Sequence, residues 1–457
     1  MSDETEPSQV VGSPVDQPAV VGRSRSRRGR TIVTVVVAVC LIGGGAGAAV
    51  AMSGGSGPAS SGGSTPASAV NRLLNAADHS DLLGAVDALV PGEQAAFKSG
   101  AMGLVAQLVR LKVLSPGVNL SHIGGVSLRF TGITTRTKML TSSLAAVAIT
   151  GGTGTASVEA RKLPLGSFVT GLVRGLLPTR PQHSTGQVST GRSAIVTEDV
   201  GGTWYVSIGY TIAYDAARAK GLSGMPPPAS KAVPAPGSST PAGAVRALVD
   251  DTASLNLAGV IGDLPPGEMG ALQSYAPLFL GKADAALAKA RSEFRLKITS
   301  MDLSSSAVAG GTLVRVSGVG LTARYDGMTF GYKDGCLSYT RVGQTFRQCL
   351  STPAAKAEMK SIRTRLLALL PRSLRALLTR LETSKVALGL MTVQENGRWY
   401  VSPTATMFEA MNQSLSLLRP QDLVAIASFL KNRAAVQSFE RSLVNLLAGT
   451  ASSTSLF

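Results

Sequence analysis

The apolar positions of this chain change period as it is followed. Between residues 66 and 93, Val70, Leu73, Leu74 and Ala77 recur at helical spacing, and Leu82, Val86 and Leu89 do so after a polar break at His79-Ser80. That spacing predicts two short amphipathic helices. The Pro-Gly that follows ends the second, and Glu93 falls in the first turn of a third, where its charge suits the helix dipole. Farther on the pattern turns to β-branched residues punctuated by glycine. VSLRFTGITT and LAAVAIT, then FRLKITSMDL, GTLVRVSGVGL and FGYKDGCLSY, all predict strands.

The same order occurs twice, which marks an internal repeat. The stretch from Pro66 aligns with that from Pro241 at an offset of 175, without a gap through Glu93 and Glu268. Each copy closes on a glycine turn and Trp-Tyr-Val-Ser, so that Trp204, Tyr205, Trp399 and Tyr400 mark the two ends; the chain has only 2 tryptophans, and both lie here. At that point the offset is 195 rather than 175, so the second copy reads as carrying 20 further residues.

The N-terminal part has a different character. Residues 31–52 hold no charged side chain and are long enough, as a helix, to cross a bilayer. Arg23, Arg25, Arg27, Arg28 and Arg30 precede them, and no such cluster follows, which places the N-terminus in the cytoplasm and the bulk of the chain outside it. A retained signal-anchor is the leading reading. Ala49-Val50-Ala51 has the form of a cleavage site, Cys40 stands after Val39 rather than a small residue, and Arg27-Arg28 is followed by Arg30, so cleavage, lipidation and twin-arginine export rank behind it.

The chain accordingly divides into a disordered basic tail (1–30), the transmembrane segment (31–52), a Gly/Ser linker (53–68), a first α+β module (69–220), a Pro-rich linker (221–243), a second module with inserted basic helices (244–416), and a C-terminal helical segment and tail (417–457). The prolines of 221–243 read as a stiff spacer between two units.

The helical openings at 69–93 and 244–268, the strands after them and the closing Gly-Trp-Tyr strands resemble the NTF2-like (cystatin-like cone) superfamily, here as tandem modules of a bacterial membrane-anchored extracytoplasmic protein. The resemblance implies an α+β fold in which a curved antiparallel sheet wraps over N-terminal helices. Apolar helical stretches before each closing strand, LGSFVTGLVRGLLP and MKSIRTRLLALLPRSLRALLTRLE, exceed what a minimal cone needs.

Charge and chemistry narrow the function. The chain carries a net charge of +17, yet only 16% of its residues are charged and 5% aromatic. A basic excess on an apolar, exported chain suits an anionic lipid or polymer and argues against nucleic acid, which needs stacking aromatics on a basic face. Cys336 and Cys349 flank LSYTRVGQTFRQ with a turn at Val342-Gly343-Gln344, which brings them within disulfide reach in an oxidising compartment. His79, His122 and His183 are scattered without metal-ligand spacing, no nucleophile elbow or phosphate loop occurs, and Ser428 to Lys431 matches S-x-x-K without its companion motifs. No catalytic, cofactor-binding or metal-binding residue is therefore assigned.

Residues 356–385 pair an apolar stripe (Ile362, Leu366, Leu369, Leu374, Leu377, Leu381) with a basic face of Lys360, Arg363, Arg365, Arg372, Arg375 and Arg380, a pattern that lies on anionic membrane, contacts a partner or packs on its own sheet. The function expected is that of a non-catalytic, single-pass envelope protein in the cell membrane. Its modules would bind an apolar or lipidic ligand or a cell-envelope protein partner. The rivals are an NTF2-like isomerase or dehydratase with a polar pocket in one module, and a structural spacer.

Overall fold

A computed structural model describes residues 62–453 except 174–179, 192 and 384–388. The apolar segment 31–52, with the anchor read there, lies outside the described residues; among these, no helix is long and apolar enough to cross a membrane. The chain is α+β, with two curled antiparallel sheets, each packed on helices.

The first copy opens with helices α1 (Pro66–Asp78), α2 (Leu82–Asp87) and α3 (Pro91–Arg110). Thr65 caps α1 in a capping box with Ser68, and Ser80 turns the chain in the left-handed region at φ 54°. Strands β1 (Val126–Met139) and β2 (Leu144–Val158) follow, then the short helix α4 (Ser167–Leu172), β3 (Gln182–Gln187), β4 (Ile195–Val200), β5 (Thr203–Val206) and helix α5 (Ile208–Ala219). The second copy repeats this as α6 (Pro241–Ala253), α7 (Leu257–Gly262), α8 (Pro266–Tyr275), α9 (Leu280–Glu293), β6 (Phe294–Val308) and β7 (Gly311–Tyr325). A ribbon comes next, β8 (Met328–Lys333), β9 (Cys336–Arg341) and β10 (Gln344–Cys349), then α10 (Pro353–Ala368) and α11 (Arg372–Thr383). The copy ends in β11 (Gly389–Glu395), β12 (Arg398–Val401) and α12 (Pro403–Ser416), and α13 (Pro420–Lys431) and α14 (Arg433–Ser453) complete the chain.

Both sheets branch around one long strand. β2 pairs with β1 along one edge, and on the other with β4 near its start and β3 near its end. β7 likewise takes β6 on one edge, β11 at 312–315 and β8 at 321–325 on the other. The core of each copy lies where the first helix meets the sheet, Val70 and Leu73 against Val147 and Ile149, and Ala244 and Val245 against Val314 and Val401.

Sheet register refines the length difference between copies. Thr197 bonds Ala145 and Thr392 bonds Thr312, so the sheets align at an offset of 167. The second copy has therefore lost 8 residues before its sheet (175 to 167) and gained 28 within it (167 to 195), rather than simply adding 20. The longer stretch holds the β9–β10 hairpin as well as the basic helices.

The tryptophan strands tie each copy to the residues that precede it. Trp204 exchanges backbone hydrogen bonds with Gly63 (2.7 and 2.8 Å), and Trp399 with Ser238 (2.9 and 2.8 Å). Both rings are half-buried, and Trp399 packs on the α6 core.

The Pro-rich segment is not a spacer. Its carbonyls accept from Tyr275 at Gly224 (2.6 Å), from Tyr400 at Ala235 (2.9 Å) and from Arg398 at Pro236 (2.8 Å), so it runs docked along the second copy. Proline removes backbone donors and leaves carbonyls for side chains to satisfy.

The copies themselves pack together reciprocally. α3 of the first lies on α12 of the second, and α8 of the second on α5 of the first. At the centre Gly92 and Gly267 meet backbone to backbone; a Cβ on Gly92 would stand 2.1 Å from the Gly267 carbonyl oxygen. The flanks are complementary rather than identical. Gly100 of α3 accommodates Phe408, whereas its counterpart Tyr275 of α8 shares a cluster with Ala213, the counterpart of Phe408.

Candidate functional site

Three features of the molecule are candidates: the carboxylates at the seam between copies, the basic helices, and the far half of the second sheet.

The seam explains the duplicated motifs. Glu93, third residue of α3, accepts from Ser207 Oγ (2.8 Å), Ile208 N (2.9 Å) and Gly209 N (2.8 Å), which caps α5. Glu268 does the same for α12, accepting from Ser402 Oγ (2.5 Å) and Thr404 N (2.9 Å); Pro403 has no N–H to give the third bond. The Pro-Gly-Glu and Trp-Tyr-Val-Ser sequences are thus two halves of one lock, a role that sequence reasoning missed because it assigned Glu93 and Glu268 to their own helices alone. Burial pushes the Glu93 carboxyl up, against the donated bonds, and the charge of Glu268 adds to the rise. Glu198 is pushed up to about 7 by burial and then by Glu93. Glu395 accepts from Gly267 N (2.9 Å) and is raised by burial. Glu93, Glu268 and Glu395 hold backbone, which is a structural use.

The basic helices are turned inward on their apolar side. Leu374 and Leu377 of α11, with Leu370 beside it, pack on Ile426, Phe429 and Phe439 of α13 and α14. A cavity of about 380 Å³ lies at this junction, lined by Leu369, Pro371 and Phe439. Of the cations, Arg363 pairs with Glu382 at 2.6 Å, Arg380 with Asp422, and Arg375 donates to the Leu370 (2.7 Å) and Ala368 (3.0 Å) carbonyls. Arg365 reaches Ser361 (3.0 Å), and Lys360 and Arg372 are exposed. The α11 part of the stripe that would meet a membrane packs on the chain's own C-terminal helices.

The far half of the second sheet differs. Cys336 and Cys349 are directly paired across β9 and β10 and form the disulfide, with Cα atoms 3.9 Å apart. Strand alternation puts Phe330, Tyr332, Leu337, Tyr339 and Phe346 on one face, continuous with Leu296, Ile298, Leu321 and Ala323 of β6 and β7. Phe330, Tyr339 and Phe346 form a row across three strands, with centroids 5.2 and 6.4 Å apart. Among the described residues no helix packs substantially on β8–β10, and Phe346 stays 63% and Leu337 53% exposed. The reverse face carries Arg295, Lys297, Arg324, Lys333 and Arg347 among threonines and serines, with Asp302 farther along β6. A recess of about 880 Å³ opens at one end, lined by Lys289, Glu293, Arg295, Arg324 and Asp326.

The period of two was present in TFGYK and LSYTR, but the sequence could not reveal that no helix among the described residues would cover it. His79 and His122 hydrogen-bond backbone carbonyls of Asn75 and His79, while His183 sits exposed on β3. No group of acids, histidines and cysteines among the described residues could hold a metal ion. Comparison with protein-family models, with curated proteins and with solved structures finds no match for this chain.

Proposed function

We propose that the protein is a non-catalytic, single-pass envelope protein, anchored through residues 31–52, whose second extracytoplasmic copy binds an apolar or lipidic ligand. The observation that carries this reading is the uncovered aromatic and aliphatic face of β8–β10. A soluble protein rarely leaves a contiguous apolar sheet face open unless something occupies it. The disulfide supports an oxidising compartment outside the cytoplasm. The curled sheets on helices support the resemblance to NTF2-like cones, and the use of the buried carboxylates as caps favours binding over acid–base chemistry.

The test is native mass spectrometry of the full chain purified from its own envelope in mild detergent. A bound lipid or acyl chain should accompany the wild type and be lost in the Phe330→Ser, Phe346→Ser double variant. An empty wild type, or equal retention by both proteins, sinks the reading.

A further inference from the structure

The end of the second sheet combines features that the ligand face alone does not require. The β7–β8 turn, the β9–β10 turn and the start of β6 all lie at this end. Val342, at the tip of the β9–β10 hairpin, is 92% exposed in a left-handed turn at φ 48°. Phe294 and Tyr325, paired with one another, also stand exposed there, and Phe346 lies two residues in from the turn. Val342 at the tip gains almost no burial from the rest of the described chain.

Cations surround this rim. Arg295 and Arg324 are direct partners across β6 and β7, a juxtaposition of like charges that destabilises a sheet unless an anion is shared. Both are exposed, and neither forms an ion pair among the described residues. Arg341 adjoins Val342, and Lys297 and Arg347 follow on the reverse face. The acids at this end are Glu293, which faces Lys289 at 3.7 Å, and Asp326 in the turn, so cations remain in excess.

We propose that this end of the sheet docks on an anionic lipid bilayer. Val342, Phe294 and Tyr325 enter the interfacial layer, and Arg295, Arg324 and Arg341 meet lipid phosphates, with the recess receiving a headgroup. Aromatic side chains favour that interface, and cations beside it are drawn to anionic lipid. A purely polar polyanion would match the arginines but leave the apolar tip without a role. The proposal rests on the reading of residues 31–52 as an anchor. Only residues 53–61 separate that segment from Gly62, a reach of at most about 30 Å when extended, so the bilayer is the surface at hand.

The experiment is hydrogen–deuterium exchange on the full chain in nanodiscs of phosphatidylcholine alone and of phosphatidylcholine mixed with phosphatidylglycerol. Amides in 322–349 should exchange roughly fivefold more slowly or better in the anionic discs. The protection should vanish in high salt and in the Arg295→Gln, Arg324→Gln and Val342→Asp variants, all at exposed positions. Equal exchange in both discs overturns docking, as does equal protection by soluble polyphosphate with no effect of Val342→Asp. Failure to stay with neutral discs would overturn the anchor reading instead. Docking is then decided by the anionic discs: retention lost on Arg295→Gln supports it, and no retention refutes it.

Discussion

Gly92 offers a sharp test of how the two copies are joined. It is the second residue of α3, and Gly281 is the second residue of α9, so alanine at either site brings the same gain in helix propensity, about 0.5–1 kcal/mol. Their surroundings differ. A Cβ at Gly281 meets nothing within 4 Å, whereas at Gly92 it would lie 2.1, 2.2 and 2.5 Å from the O, C and Cα atoms of Gly267. Those are backbone atoms, which cannot rotate away. The helices would have to separate by more than about 1 Å to restore an ordinary carbon–oxygen contact. Phe97–Phe408 and Tyr210–Tyr275, the ring pairs flanking the contact, would be loosened together. Overpacking of this kind costs about 1–3 kcal/mol and the propensity gain cancels between the two sites, so Gly92→Ala should fall about 1–3 kcal/mol below Gly281→Ala. Thermal unfolding of the two full-length variants, followed by circular dichroism, measures the difference; a domain of ~150–250 residues loses about 2–4 °C per kcal/mol. Equal or higher stability of Gly92→Ala would refute the backbone contact and the seam built on it.

Three further outcomes follow from the same geometry. Phe408→Ala should cost about 3–5 kcal/mol by emptying the space over Gly100, and Gly100→Ala, destabilising alone, should be neutral or stabilising in that background; additive costs in denaturant titrations would contradict the packing. Glu198, held at about 7, contributes stability that is complete below pH 4.5 and is lost as pH rises through 7, a difference of about 3 kcal/mol by pH 8; Glu198→Gln should flatten the pH dependence of melting, and an unchanged slope would count against burial as its cause. Replacing Cys336 and Cys349 by serine removes a cross-link over 13 residues, worth about 3 kcal/mol in chain entropy, and should speed proteolysis within 328–349 while leaving the first copy's amide exchange unchanged; a cleavage pattern identical to wild type would show the hairpin does not need the bond.

Much of the fold was legible because it is local. The period of Val70, Leu73 and Leu74 built α1, the glycine-marked β-branched runs built the sheets, and Val342-Gly343 turned the hairpin that joins Cys336 to Cys349. What the period cannot carry is the identity of a distant partner. Gly92 read as a helix stop because Pro-Gly punctuates helices, and its service to Gly267, 175 residues away, leaves no local trace. The stripe of α11 read as packed on its own sheet ahead of membrane-facing, and the packing partner proved to be α13 and α14. Counting from both ends of the repeat hid a loss of 8 residues behind a gain of 28, which only strand register could separate. The candidate ligand face was written in the alternation of β8–β10, but its exposure depends on helices that the fold directs elsewhere.

The measurement closest to the central claim is photo-crosslinking of the full chain in nanodiscs with a diazirine-bearing acyl chain, mapped by peptide mass spectrometry. Adducts should form in 328–349, at Phe330, Tyr339 and Phe346, and disappear in the Phe330→Ser, Phe346→Ser variant. Adducts confined to residues 31–52, or unchanged in the variant, would contradict it.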